Sequence, residues 1–97
     1  MMQTQISKKA QDDLIEIWEY TLKKWSINQA DKYFQILTDT INAIANEPNM
    51  GKSYERLRKG YFGFHIKSHI IFYKIDNGDT LKIIRILHQR MDFPNIL

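Results

Sequence analysis

The spacing of the hydrophobic residues changes once along this 97-residue chain, and that change constrains the fold more than any other feature. Up to about Pro48, apolar residues recur at intervals of three and four, which indicates amphipathic helices. After the loop EPNMGKSYERLRKG, aromatic and β-branched residues gather in short runs that are typical of strands. A helical half followed by a strand half, with no linker between them, predicts a single α+β domain over residues 1–97.

Two helices are predicted in the first half. The first begins after Ser7, an N-cap residue, and continues for about 17 residues. The second begins after Ser26 in the capping sequence SINQ, and it cannot continue through Pro48. Because the connection between the helices is so short, we expect an antiparallel hairpin. The opening segment MQTQIS is expected to form an N-terminal strand.

Three strands are predicted in the second half, from the runs YFGFHI, HIIFYKI and TLKIIRILH. Asn77 and Gly78 separate the last two runs, and both residue types tolerate positive φ. They predict a two-residue type I′ turn between antiparallel neighbours. We therefore expect a three-stranded antiparallel meander that forms a small sheet with the N-terminal strand.

The central strand of this meander is apolar on both faces. Ile70 and Phe72 point to one side, while Ile71, Tyr73 and Ile75 point to the other. The helical hairpin accounts for the cover of one face only. We expect a partner protein to bury the second face, because exposed apolar surfaces of a few hundred Å² normally mark an interface. The alternative is that the long loop or the terminal FPNIL folds over it.

Composition excludes several classes of function. There is no cysteine, so disulfides and thiolate metal sites are absent, and His65 and His69 flank a predicted turn without a completing metal ligand. The glycines do not form a phosphate-binding loop, so no cofactor is expected. No apolar run is long enough for a membrane span, and MMQTQISKK does not resemble a signal peptide. We therefore predict a cytoplasmic protein without metal, cofactor or membrane contact.

Charge is distributed unevenly between the halves. Residues 1–48 carry five lysines and seven acidic residues, for a net charge of −2, whereas residues 49–97 carry nine basic and four acidic residues, for +5. The basic half favours an acidic partner, either nucleic acid or an acidic protein segment. The alternative is an ordinary solvated surface.

The basic residues are concentrated near the predicted sheet, and none is assigned a catalytic role. In a regular strand Arg85 and His88 point to opposite faces, so they should not converge as a catalytic pair. We interpret ILHQRMD as the end of the last strand, which presents Arg85, His88 and Arg90 for recognition. The apolar tail either joins that target surface, or Phe93 caps the core while the last residues fray.

The chain resembles the ParE toxins of the RelE/ParE superfamily, the toxin half of type II toxin-antitoxin modules. The resemblance is carried by IS..A..DL..I..Y near the start, P..GK in the loop, GYF.F...SHIIFY across the sheet, and I.RILH.RMD at the end. These motifs span nearly the whole chain in order. The resemblance implies a helical hairpin packed on a small, largely antiparallel sheet.

By this resemblance, the protein is expected to inhibit DNA gyrase through its A subunit, trapping the cleaved DNA complex and arresting growth. Such toxins stabilise plasmids or chromosomes, and a ParD-like antitoxin wraps around them and neutralises them. Contact with DNA would be indirect. The expected antitoxin contacts are Trp18, Tyr20, Arg56, Lys67 and Tyr73. The expected target contacts are Arg58, Arg85, His88, Arg90, Phe93, Ile96 and Leu97.

The ribonuclease branch of the superfamily provides the alternative function. Enzymes similar to RelE cut messenger RNA in the ribosome with basic residues and a tyrosine or histidine near the last strand. Arg85 and His88 occupy that region here, but the ending RMDFPNIL has no tyrosine. The sequence therefore favours gyrase inhibition over RNA cleavage.

Overall fold

The computed structural model describes residues 2–97 as an α+β fold with three helices and one five-stranded sheet. In chain order, the elements are β1 (Gln3–Ile6), α1 (Lys8–Lys24), α2 (Ile27–Asn46), a 3₁₀ turn (Pro48–Met50), β2 (Lys52–Ser53), β3 (Phe62–Ile66), β4 (His69–Asp76), β5 (Thr80–His88) and α3 (Phe93–Ile96). The predicted N-terminal strand, helical hairpin and three-stranded meander are all confirmed.

The sheet has the strand order β1-β5-β4-β3-β2. Strands β3, β4 and β5 form the antiparallel meander, and β1 adds to its edge parallel to β5, with Gln3 opposite Thr80 and Ile6 opposite Ile83. The two-residue strand β2 pairs with β3 at the other edge and was not predicted. Its residues Lys52 and Ser53 have no apolar alternation, so no local pattern marked them as a strand.

Both helix starts are capped by the predicted serines. The Ser26 hydroxyl accepts a hydrogen bond from the backbone N–H of Gln29 at 3.1 Å. The Ser7 hydroxyl accepts from the Ala10 N–H at 3.0 Å and also donates to the Ile84 carbonyl at 2.7 Å. The Ser7 cap therefore begins α1 and attaches that end of the helix to β5.

The hairpin covers one face of the sheet and forms the main hydrophobic core. The apolar stripes of the helices meet the inward residues of β4 and β5, as their helical and strand periods require. The fully buried members from the helices are Ala10, Leu37 and Ile44, and those from the sheet are Ile71, Tyr73, Leu81 and Ile83.

The opposite face of the sheet is covered by the chain itself. Ile70, Phe72 and Leu87 are buried there, under partly buried residues of the long loop and the C-terminal segment, namely Tyr54, Ile84, Phe93 and Leu97. The rings of Tyr54 and Phe93 each pack edge-to-face on Phe72 with centroids 5.1 Å apart. The expectation that a partner buries this face is wrong, because the loop and tail supply enough apolar surface to do so.

Two local features of β4 and β5 differ from the predicted hairpin. Asn77 and Gly78 have the expected positive φ values of 55° and 79°, but the turn has three residues, since Asp76 pairs with Thr80. A bulge also interrupts the ladder, because Phe72 pairs with Arg85 whereas Tyr73 pairs with Ile83. Two residues of β4 thus face three of β5, which changes the side-chain alternation beyond the bulge.

Candidate functional site

An open groove of about 930 Å³ lies between the helical hairpin and the end of the sheet where β3 turns into β4. Its walls include apolar side chains from α1, α2, β5 and the segment after β5, namely Ile17, Ile36, Ile86 and Met91. Polar rings line it as well, from Tyr33, His69 and His88. Three lysines, Lys24, Lys32 and Lys67, contribute to the same lining. The groove thus combines apolar walls with hydrogen-bonding groups and cations.

Three of the groove residues form a connected polar cluster. The Tyr33 hydroxyl lies 2.6 Å from Nδ1 of His69. The imidazole of His69 in turn packs against that of His88, with centroids 5.3 Å apart and an interplanar angle of 81°. The backbone N–H of Arg90 donates to Nδ1 of His88 at 3.2 Å. Both histidines are therefore held in place through their Nδ1 atoms.

The ionisable groups of this cluster are shifted toward their neutral forms. Burial and, to a smaller extent, the positive charge of His88 lower the pKa of His69 to about 4, while Asp13 opposes the shift. Burial also raises the pKa of Tyr33 above its usual value, against hydrogen bonds from Ser68. At neutral pH the cluster thus offers an uncharged phenol beside an uncharged imidazole.

A buried ion pair lies behind the groove. Both carboxylate oxygens of Asp13 accept from the Arg85 guanidinium, at 2.8 and 2.9 Å, and one also accepts from the Ile86 backbone N–H at 2.9 Å. Asp13 is 7% exposed, and its hydrogen bonds raise the pKa of Arg85. Arg85 was predicted to contact a target, but its charge is committed to this internal pair.

The ladder between β4 and β5 is regular from the His69–His88 pair to the Phe72–Arg85 pair, so Arg85 and His88 point to opposite faces of the sheet. Ile83 and Ile86 both face the main core although they are three positions apart, which the bulge at this point of the ladder permits. Arg85 reaches Asp13 on α1, and His88 lines the groove beside the helices. The expectation that these two side chains point to opposite faces agrees with this register, because the bulge lies before Arg85. The contact of Arg85 with Asp13 lies at the free edge of β5, where the same carboxylate accepts from the Ile86 backbone N–H.

The predicted target residues of the tail are only partly available. Phe93 packs on Phe72, and Leu97 packs against the second core cluster while its carbonyl accepts from Nε of Arg58 at 3.0 Å. Phe93 therefore caps the core, and Leu97 does not fray. Arg90 is exposed, and Ile96 is 36% exposed.

The predicted antitoxin contacts divide into accessible and buried residues. Tyr20 is 62% exposed, and Arg56 and Lys67 are exposed as well. Trp18 is half-buried, and its indole N–H donates to the Asp31 carboxylate at 2.9 Å. Tyr73 is fully buried, with its hydroxyl bonded to Pro48 and Gly51, so its prediction as a partner contact is wrong. Its position on the core-facing side of β4 explains the burial.

Sequence reasoning missed three residues of the groove and its support: Asp13, Tyr33 and His69. Asp13 carried a usable signal, because it lies on the apolar stripe of α1 between Ala10 and Leu14, where a charge needs a buried partner. Tyr33 was interpreted as core, and His69 was tested only as a metal ligand. Their contact joins α2 to the β3–β4 turn, and no local pattern predicts such a pair.

Within residues 2–97, His, Cys, Asp and Glu side chains do not form a group of three that could hold a metal ion. No helix of this part of the chain is both long and apolar enough to cross a bilayer.

Comparison with known proteins identifies the family. The sequence pattern of the family described as "ParE toxin of type II toxin-antitoxin system, parDE" matches residues 5–93. The chain belongs to the ParE toxin family. Toxin ParE1 of Caulobacter vibrioides is 41% identical over 87 residues, covering 90% of this chain and 88% of that protein. Toxin ParE1 of Mycobacterium tuberculosis is 37% identical over 87 residues, covering 90% and 89%.

Two solved structures contain chains with the same fold as this ParE-family protein. A chain of the chromosomal ParDE TA system from P. aeruginosa superimposes with a TM-score of 0.79 at 19% identity, covering 91% of this chain and 96% of that one. A chain of the toxin-antitoxin complex RelBE2 from Mycobacterium tuberculosis gives 0.69 at 19% identity, covering 90% and 96%. Both neighbours come from toxin-antitoxin structures, and at 19% identity they show that this chain has the same fold.

Proposed function

We propose that this protein is a type II toxin that inhibits DNA gyrase through the A subunit, traps the cleaved DNA complex in the cytoplasm and thereby blocks replication. A ParD-like antitoxin holds it inactive. The observation that carries the proposal is the match of residues 5–93 to the ParE family. The identity of 41% to a curated Toxin ParE1 over most of both chains supports the same assignment.

The surface of the hairpin suits the proposed antitoxin. Ile15, Phe34 and Tyr20 are exposed on the two helices although they are large and apolar or aromatic. Ile15 and Phe34 border a shallow depression together with Trp18. Such a surface costs free energy in water, and a partner that lies along the hairpin removes that cost.

The proposed target surface lies near the end of the chain. Arg90 is exposed directly after β5, and the guanidinium of Arg58 is oriented by the Leu97 carbonyl. These cations are free to meet an acidic region of gyrase or the DNA that it holds, because Arg85 alone among the predicted arginines is bound to an internal carboxylate. In this proposal no residue of the toxin performs chemistry, and the effect comes from binding.

The deciding experiment combines two assays on the purified toxin. We expect loss of supercoiling and accumulation of linear, protein-linked DNA with gyrase, and an intact transcript in a ribosome-dependent cleavage assay. Arg90→Ala should weaken the gyrase effect, whereas Lys9→Ala, a matched loss of one exposed cation at the start of α1, should not. Undisturbed supercoiling at saturating toxin would contradict the proposal.

A metal-independent ribonuclease of the RelE type is the second candidate. The observation that favours it is the contact of Tyr33, His69 and His88 in one groove. Imidazole N–H groups and lysines on the same groove can bind the phosphate of an RNA strand and stabilise the charge that develops when it is cleaved. Cleaved transcript with undisturbed supercoiling would establish this function in place of gyrase inhibition.

A further inference from the structure

We infer that the groove beside His69 and His88 is a carboxylate-binding site that receives an acidic side chain of the antitoxin, flanked by apolar ones. The inference rests on the proposed function, since it names the antitoxin chemistry that this groove recognises. It depends on two imidazole N–H donors, a set of lysines and the apolar walls between them.

The hydrogen bonding of His88 determines which of its nitrogens carries the proton. Nδ1 accepts from the backbone N–H of Arg90, and a backbone N–H can only donate. The proton of the neutral ring must therefore be on Nε2. Because His88 lines the groove, this N–H is a donor that an incoming acceptor can use.

The same reasoning applies to His69 through Tyr33. The Tyr33 hydroxyl lies 2.6 Å from Nδ1 of His69, and the Ser68 hydroxyl lies 3.5 Å from the same nitrogen. Two hydroxyl donors thus face Nδ1, which we assign as the acceptor of the phenol hydrogen. This places the His69 proton on Nε2 as well. The two adjacent rings thus each supply one N–H donor and no acceptor.

The charges of the groove suit a single carboxylate better than a nucleic-acid backbone. Lys24, Lys32 and Lys67 contribute three positive charges, while Glu16 remains as a negative charge beside the internally paired Asp13. A row of phosphates would have to pass Glu16, which repels them. One glutamate or aspartate side chain avoids that repulsion and still meets the lysines and the imidazole donors.

The walls of the groove indicate what surrounds the carboxylate. Ile17, Ile36 and Met91 are apolar and pack against leucine-like side chains. Tyr20 and Trp25, which are 62% and 70% exposed, add apolar ring surface along the same groove. An antitoxin segment with one acidic residue between aliphatic ones fits this lining.

The test uses the purified full-length toxin with ¹⁵N-labelled histidine side chains. The probes are an acetylated peptide with one glutamate between leucines, the same peptide with glutamine, inorganic phosphate, and a short oligothymidylate. We expect the Nε2 signals of His69 and His88 to shift with the glutamate peptide, and at least tenfold weaker binding of the glutamine peptide. Binding of phosphate or oligothymidylate in preference to the glutamate peptide would overturn the inference and indicate a nucleic-acid site.

Two variants of His88 distinguish the contribution of its N–H donor from that of its side-chain volume. His88→Gln retains an N–H near the position of Nε2, whereas His88→Leu retains only the volume. We expect His88→Gln to bind the glutamate peptide within threefold of the wild-type toxin and His88→Leu at least tenfold more weakly. Equal binding by both would overturn the inference, once circular dichroism has confirmed that both are folded.

A second pair tests the positioning of His69 by Tyr33. Tyr33→Phe removes the hydroxyl that directs the His69 proton, so glutamate-peptide binding should fall several-fold, whereas Tyr61→Phe, at a tyrosine that does not line the groove, should leave it unchanged. Unaltered binding by Tyr33→Phe would contradict the orientation of His69. A toxin that binds the glutamate peptide but fails to inhibit gyrase would keep this site and reject the proposed target. A toxin that inhibits gyrase, but whose histidine signals do not shift with the peptide, would keep the proposed target and reject this carboxylate-binding site.

Discussion

Asp13 and Arg85 are joined by two hydrogen bonds of 2.8 and 2.9 Å although 72 positions separate them in the sequence. The pair connects α1 to the bulged part of β5, and the third bond of Asp13, to the Ile86 backbone, secures the strand directly after the bulge. A buried carboxylate with three donors satisfies its lone pairs without solvent. The position of His88 in the groove therefore depends on a residue of the first helix.

Asp13→Asn should destabilise the fold by about 2–4 kcal/mol, because it leaves the Arg85 charge without its partner in a largely buried place. The free energy of unfolding, measured by urea denaturation, tests this expectation. Lys8→Ala is the control, since the exposed Lys8–Asp12 pair should contribute at most about 1 kcal/mol. A similar change in both variants would show that Asp13 has no special role.

Tyr73→Phe should reduce stability by about 1–3 kcal/mol, because it leaves buried backbone groups without partners. The hydroxyl donates to the Pro48 carbonyl at 2.8 Å and accepts from the Gly51 N–H at 2.9 Å. Thermal unfolding measures the loss, with the exposed Tyr20→Phe as the control. If Tyr73→Phe melts at the wild-type temperature, the hydroxyl does not stabilise the loop.

Gly51→Ala should also be destabilising, by about 1–3 kcal/mol. A Cβ atom on Gly51 would lie 2.2 Å from the Tyr73 hydroxyl oxygen, so the loop or the ring has to move. Gly60→Ala is not a clean control because Gly60 has a φ of 80°, whereas Asn49→Ala in the neighbouring exposed turn is suitable. Equal unfolding midpoints for Gly51→Ala and the wild type would contradict the close contact.

Phe93→Ala should expose the second apolar cluster and cost about 1–3 kcal/mol, less than for a fully buried phenylalanine. Increased binding of a hydrophobic dye in the folded protein would reveal the uncovered Phe72 face. Ile96→Ala, which removes an exposed side chain of the same segment, should change neither stability nor dye binding. Equal stability and equal dye binding of the two variants would contradict this expectation.

Stability should decrease as the pH falls from about 6.5 toward 4, because His69 has a pKa of about 4 in the folded protein and the unfolded chain binds its proton first. Because His69 is only partly buried and solvent screens its charge, this group should contribute a loss of about 1–2 kcal/mol across that interval and no change above it. Unfolding curves at several pH values measure the slope. His69→Gln should flatten it, whereas exposed His65→Gln should not.

Local patterns were sufficient for most elements of the fold. The helical period and the capping serines located α1 and α2, and the β-branched runs located β3, β4 and β5. Positive φ at Asn77 followed from residue type, but the turn length did not, because it depends on which residues of the ladder pair. The bulge, β2 and the cover of Phe72 by Phe93 all arise from contacts between distant segments, which periodicity does not encode.

The candidate groove was less accessible to sequence reasoning for the same physical reason. Tyr33 and His69 are 36 positions apart, and each has an ordinary local explanation as a core tyrosine or a strand-end histidine. His88 was selected because it follows an apolar run, which correctly marked the end of β5. Its contact with His69 and its place in the groove depend on how the hairpin packs against the sheet.

The parallel pairing of β1 with β5 has a consequence for how the protein is made. The first strand has no hydrogen-bonding partner until residues 80–83, which lie 77 positions later in the chain, have been synthesised. The Asp13 carboxylate of α1 likewise has no partner until Arg85 has been synthesised. A polypeptide released early by a stalled ribosome therefore lacks the edge of the sheet and the histidine side of the groove. Incomplete translation products should be unfolded and harmless to the cell that makes them.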